Sequence, residues 1–203
     1  MNLKKTMLIT AALTSTAALS AFAGSHGGKT ATASGEMLGN TCAGCHGPRG
    51  NSFGPAIPTI AGNAATYLSD KMKAYKSGDA PSSIMGNIAK GYSDAEIDAM
   101  AGYFSKQAYK PMAQKHDAAM AKAGKKLHDK YCEKCHSEAG TLADDESGLL
   151  SGQWMPYLEY SLADFQSGAA NAPKKMATKL KKLHKKEGAA GIEKLIHYYG
   201  SAK

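Results

Sequence analysis

The stretch Cys42-Ala43-Gly44-Cys45-His46 and its second copy, Cys132-Glu133-Lys134-Cys135-His136, hold all four cysteines of this 203-residue chain. In each, two cysteines stand two residues apart and a histidine follows at once. A zinc site, a dithiol redox pair or a local disulfide would each use the cysteines. All three leave the adjacent histidine, twice, without a role. C-x-x-C-H is instead the attachment signature of c-type haem. Two intervening residues let the thiols reach the two vinyl groups of one porphyrin, and the neighbouring imidazole turns onto the iron. The spacing thus assigns two covalent haem c groups, held by Cys42, Cys45, Cys132 and Cys135, with His46 and His136 as iron ligands.

Composition agrees with a core completed by something other than side chains. The chain has 15 Leu, 8 Ile, 4 Phe and no Val, about 13% of its residues, below the share at which a self-sufficient globule becomes suspect. Without Val and with little Ile an all-β fold is excluded, and helix formers dominate. A porphyrin is a large flat apolar body around which such a chain can fold, so the haem-free chain is expected to be partly or largely unfolded.

Lys4 and Lys5 precede an apolar run from Met7 to Ala21, followed by Ala21-Phe22-Ala23. Residues 1–23 read as a secretory signal with an A-x-A cleavage site. The run is too short to span a bilayer, and no later segment is apolar enough to do so. The expected product is a soluble periplasmic protein with a flexible stretch over 24–34.

Shifting the sequence by 90 residues superposes the two haem motifs, Gly62 on Gly152, Tyr67-Leu68 on Tyr157-Leu158, and Ser77-Gly78 on Ser167-Gly168. At a shift of 95, Ile97 meets Ile192 and Tyr103-Phe104 meets Tyr198-Tyr199. Such internal repetition indicates tandem duplication. Domain 1 is placed at 35–107, a linker containing Pro111 at 108–117, and domain 2 at 118–203.

The repeat also selects the sixth iron ligand. Met85 and Met176 stand 39 and 40 residues after their histidines, and no other methionine is repeated in this way. Met72 aligns with Leu162, Met100 with Leu195 and Met155 with Ala65, so these read as packing residues. Met85 lies in a loop-like stretch with Ser82-Ser83 and Gly86, and Met176 follows Pro173, as a strap across the far haem face would. His116, His128, His184 and His197 lack repeat partners and read as ordinary surface or helix-face residues. A thioether is soft and raises the potential relative to two imidazoles. With both axial positions filled no open iron is left for substrate or peroxide, so outer-sphere one-electron transfer is expected and no catalysis by this chain alone.

The architecture expected is all-α: two tandem class I cytochrome c domains, each folded around its haem. A short helix leads into each motif. A second helix covers Ala64 to Lys76 or Pro156 to Gln166, and a closing helix covers Asp94 to Gln107 or Ala189 to Tyr199. Ser93-Asp94-Ala95-Glu96 supplies the cap of the first closing helix. Ile97, Met100, Tyr103 and Phe104 recur at helical spacing and should face the core. Pro55 is expected to accept a hydrogen bond from Nδ1 of His46. The acidic, Gly-containing stretch from Leu142 to Gln153 has no matching proline, so the two haems should be inequivalent.

Several segments resemble one family closely. Thr41 to Gly47, Ile84-Met85-Gly86-Asn87-Ile88-Ala89-Lys90-Gly91-Tyr92-Ser93, Met100 to Phe104, Leu127-His128-Asp129-Lys130-Tyr131-Cys132-Glu133-Lys134-Cys135-His136, Ala163 to Phe165 and Lys175 to Leu180 are similar to the dihaem cytochrome subunit of flavocytochrome c sulfide dehydrogenase, within the cytochrome c4-like family. The similarity covers about residues 35 to 200. It implies a heterodimer in which a separate FAD-bearing flavoprotein oxidises sulfide to sulfur and this chain takes the electrons, then passes them to a downstream acceptor. The alternative is a free c4-like shuttle between a quinol oxidoreductase and a terminal oxidase.

Formal net charge is +8. Lys174 to Lys186 contains seven lysines around Met176, Leu180 and Leu183, which share one helix face. The opposite face is either a solvated surface or a docking ring for an acidic electron acceptor. No nucleic-acid motif accompanies the charge.

Overall fold

The computed structural model describes residues 33–202; the expected leader over 1–23 lies outside the described residues. Among these residues there are helices and turns and no strand, in line with the absence of Val and the scarcity of Ile. The first half contains α1 (Gly35–Gly39), α2 (Ala43–His46), α3 (Ala65–Ser77), α4 (Met85–Ala89) and α5 (Asp94–Ser105). The second contains α6 (Ala118–Tyr131), the single turn α7 (Ser137–Gly140), α8 (Met155–Ser167) and α9 (Lys174–Gly200). No described helix is long and apolar enough to cross a membrane.

Helix starts follow local chemistry. Ser34 caps α1 by accepting from the Met37 amide, and Asp117 caps α6 by accepting from Met120. Ser93 and Glu96 form the reciprocal capping box expected at α5. One expectation needs correction. The helix leading into the second motif is not short but runs 14 residues, because its Ala121, Gly124 and Leu127 stripe is buried. The closing helix of the second half begins after Gly188, as expected: helical residues run from Lys174 to Gly200 with one break at Gly188 (φ 65°, ψ −161°). Gly188 divides α9 into a lysine-rich part and a closing part.

Backbone geometry repeats with the sequence. Gly50 and Gly140 both have φ 79°, a conformation that favours glycine. The Gly50 carbonyl accepts from Ile60 and Ala61, and that of Gly140 from Leu150 and Ser151. Each leading helix crosses its closing helix in backbone contact. A Cβ on Gly35 would lie 2.0 Å from the Ala99 carbonyl oxygen, and one on Gly124 2.0 Å from that of Lys194.

The first core cluster is small, consisting of buried Ile97, Met100 and Phe104 with Leu38, Ile60, Leu68 and Met72 against it. The second is larger and includes Leu127, Leu158, Leu180, Leu183, Leu195 and Tyr199. Between the halves lies a buried polar seam with the same two-fold logic. The Thr59 amide donates to Gln153 Oε1 (3.0 Å), Gln153 Nε2 donates to the Thr59 carbonyl (2.7 Å), and the Leu149 amide donates to Asn63 Oδ1 (2.9 Å). At the 90-residue shift Asn63 corresponds to Gln153 and Thr59 to Leu149. Trp154 Nε1 adds a bond to the Ser52 carbonyl (3.2 Å).

Candidate haem sites

In the first motif Cys42 precedes α2, while Cys45 and His46 lie within its single turn. The second motif follows the end of α6, in the turn after it. Cys135 N and His136 N both donate to the Cys132 carbonyl, which wraps the motif into one turn. No disulfide joins the four cysteines; Cys42 and Cys132 are half-buried, while Cys45 and Cys135 are exposed. Burial pushes the Cys42 and Cys132 thiols up from their ordinary value.

The two imidazoles are held differently. His46 Nδ1 donates to the Pro58 carbonyl at 2.8 Å, which fixes the tautomer and leaves the Nε2 lone pair for a metal. The acceptor is Pro58 and not the expected Pro55, because the 51–59 loop folds back through the bond from the Ser52 amide to Thr59 Oγ1. Burial lowers the His46 pKa, opposed by that same bond, and so favours the neutral ring a metal requires. His136 Nδ1 is buried with no hydrogen-bond partner. Its pKa is lowered by burial and by nearby His128, opposed by Asp144. The position matching Pro58 at the 90-residue shift is Gly148, whose carbonyl makes no such bond.

The methionines fall into two groups. Met100 is buried in the first core, Met72 packs on that core and Met155 on the second, as the repeat alignment predicts. Met85 opens α4, with its amide donating to Ser82 Oγ, and Met176 occupies the first turn of α9. Met85, expected in a loop, is therefore helical, and Met176 lies on the helix whose face the Met176, Leu180 and Leu183 spacing predicts. Tyr92, seven residues after Met85, bonds through its hydroxyl to Thr41 Oγ1 at 2.9 Å, joining the Met85 segment to the first motif. In the second half Cys132 and Met176 pack against the same cluster.

The sequence reading misses His128. It is fully buried, Nδ1 shares a hydrogen bond with the Tyr199 hydroxyl at 2.9 Å, and Nε2 bonds the Glu133 carboxylate. Glu133 also accepts from the Glu138 amide at 3.1 Å. A network thus links the closing helix to the interior of the second C-x-x-C-H. The only local signal was a glutamate inside that motif where the first motif has Ala43.

The residues fit covalent haem on three observations: paired thiols on one turn, an adjacent imidazole with one nitrogen committed or buried, and apolar side chains with too few partners. Ile84, beside Met85, is 68% exposed. An all-helical chain with two such motifs, each closed by a crossing pair of helices, is a dihaem cytochrome of two tandem class I domains carrying covalently bound haem c.

Comparison with known proteins narrows the class. The cytochrome c family model matches residues 32–108. Cytochrome c4 of Azotobacter vinelandii is 32% identical over 155 residues, 68% of this chain and 73% of that protein. The cytochrome subunit of sulfide dehydrogenase from Chlorobaculum tepidum is 44% identical over 70 residues, 34% of this chain and 63% of that protein. The crystal structure of reduced recombinant cytochrome c4 from Pseudomonas stutzeri superposes with a TM-score of 0.71 at 27% identity, covering 83% of this chain and 97% of that one. The chain belongs to the cytochrome c4 family and is a dihaem electron-transfer protein.

Proposed function

We propose that this chain is the periplasmic electron-accepting subunit of a sulfide-oxidising flavoprotein, and that it passes the electrons to a downstream acceptor. The observation that carries the reading is the local similarity to a sulfide dehydrogenase cytochrome subunit, 44% against the 32% shared with cytochrome c4. In this reading FAD belongs to the partner. The domains span 35–107 and 118–203, joined by 108–117. Cys42, Cys45, Cys132 and Cys135 attach the two haems, and His46 with Met85 and His136 with Met176 supply the axial ligands.

When bound, each haem supplies one-electron exchange at iron. The chain's own residues set the conditions for it. Neutral imidazoles are favoured by burial. Soft thioethers favour the reduced metal. The Thr59, Gln153 and Asn63 seam joins the two halves through buried hydrogen bonds.

A second reading, a free shuttle between a quinol oxidoreductase and a terminal oxidase, is favoured by the extent of the cytochrome c4 match, which spans 68% of the chain against 34% for the sulfide dehydrogenase subunit. Gentle purification of the mature protein from its native periplasm separates them. A flavin band accompanying two haems per chain, with the haems reduced on adding sulfide, is the expected result. Two haems alone, without partner or response to sulfide, overturn the first reading in favour of the shuttle.

A further inference from the structure

We infer that the lysine-rich part of α9, Lys174 to Lys186, is the docking face for an acidic redox protein that exchanges electrons with the second haem. The inference rests on the proposed role of Met176 as that haem's ligand. Lys174, Lys175, Lys179, Lys181, Lys182, Lys185 and Lys186 are all exposed. At about 100° of rotation per residue they cover one continuous face of roughly 160°. The opposite stripe is occupied: Leu180 and Leu183 are buried in the second core, and Met176 packs against it. The face therefore begins at the haem-ligating residue and is fixed in direction by the core beneath it.

The arrangement is costly for the helix itself. Like charges repel at the 175/179, 181/185 and 182/186 spacings. Lys174 and Lys175 oppose the dipole at the helix N-terminus, where the first turn carries no acidic residue. None of the seven lysines forms an ion pair among the described residues, whereas Lys73, Lys76 and Lys125 are paired with Asp98, Asp94 and Asp129. A local rule broken without compensation inside the fold points to a function outside it. Charge complementarity names the partner as acidic. Its being a protein and not a membrane follows from the helix face, since none of the large exposed hydrophobic residues lies between Lys174 and Lys186 to enter a bilayer.

The test uses the reduced dihaem holoprotein and an oxidised acidic blue-copper protein in stopped flow. The second-order rate constant should fall at least about tenfold as salt rises from about 10 to about 300 mM. Replacing Lys179, Lys182, Lys185 and Lys186 together by Gln should lower the low-salt rate by about tenfold and flatten the salt dependence. The same change at Lys110, Lys115, Lys122 and Lys126 should leave both close to wild type. Thermal stability of the α9 variant should hold or rise, since repulsion is removed and Gln matches Lys in helix propensity; a purely structural role would lower it. A rate independent of salt, or equal in the two variants, overturns the docking face. Loss of binding to vesicles of anionic phospholipid with an unchanged protein-to-protein rate assigns the lysines to a membrane surface and overturns it as well. Holoprotein that a small uncharged quinone also fails to oxidise overturns the electron-transfer reading beneath it, a result distinct from the others.

Discussion

Where the first half places Leu38 against a cluster containing Phe104, the second half places His128 beneath Tyr199 and against Glu133. The positions correspond at the repeat shifts, and Ala43 stands where Glu133 stands. An apolar contact in one copy is therefore a buried polar network in the other. Removing one member leaves the remaining polar groups unsatisfied, which costs more than the bond itself contributes. His128→Ala should destabilise the holoprotein by about 2–4 kcal/mol. The triple change His128→Leu, Glu133→Ala, Tyr199→Phe copies the first half and should recover most of that loss, because the three side chains that bond one another leave together. Chemical denaturation followed by far-UV circular dichroism measures both, and a triple variant no more stable than the single one would rule out the network as the cause.

At the level of elements, α3 and α5 are joined through charge. Asp98 is held below its ordinary carboxyl pKa by its bonds to Lys73 and Ser69, Asp94 by Lys76, and Glu96 by its capping bonds to the Ser93 amide and hydroxyl. A depressed folded-state pKa means the unfolded chain binds more protons. The stabilisation is then complete above the unfolded value of about 4 and is lost as pH falls through the folded values. Stability should therefore decline below about pH 4, and Asp98→Asn should flatten part of that decline in urea titrations run across the acid range. The crossing of α6 and α9 depends on volume instead. Gly124→Ala would set a methyl against the Lys194 carbonyl, where neither backbone can yield without separating the helices. We expect a loss of about 3 kcal/mol or more, while Gly102→Ala, which meets open space, should be tolerated. Equal melting temperatures for the two variants would show that the helices do not require this close approach.

For the whole molecule, what the sequence made legible was what repeats. The haem motifs, the turn glycines and the closing helices recur at nearly constant shift, so α3, α5 and α8 fall within a residue or two of their expected bounds. What stayed hidden depends on partners far apart in the chain. His128 meets Tyr199 across 71 residues, and Thr59 meets Gln153 across 94; no local pattern encodes either. The same distance gives the seam its consequence. Gln153 satisfies both the amide and the carbonyl of Thr59 across the seam, with Gln153 only 3% and Thr59 1% exposed, whereas Asn63 makes one bond across it, from the Leu149 amide, and a second within its own half, to the carbonyl of half-buried Ile60. Gln153→Leu should thus cost more than Asn63→Leu, about 2–4 against about 1–3 kcal/mol. Because the groups it strands join the two halves, the larger loss should also weaken their coupling. Calorimetry of the holoprotein should show one transition in the parent and two in the Gln153 variant. A single transition in both, at the same temperature, would mean that the halves are held together elsewhere, with Trp154 on the Ser52 carbonyl the next contact to remove.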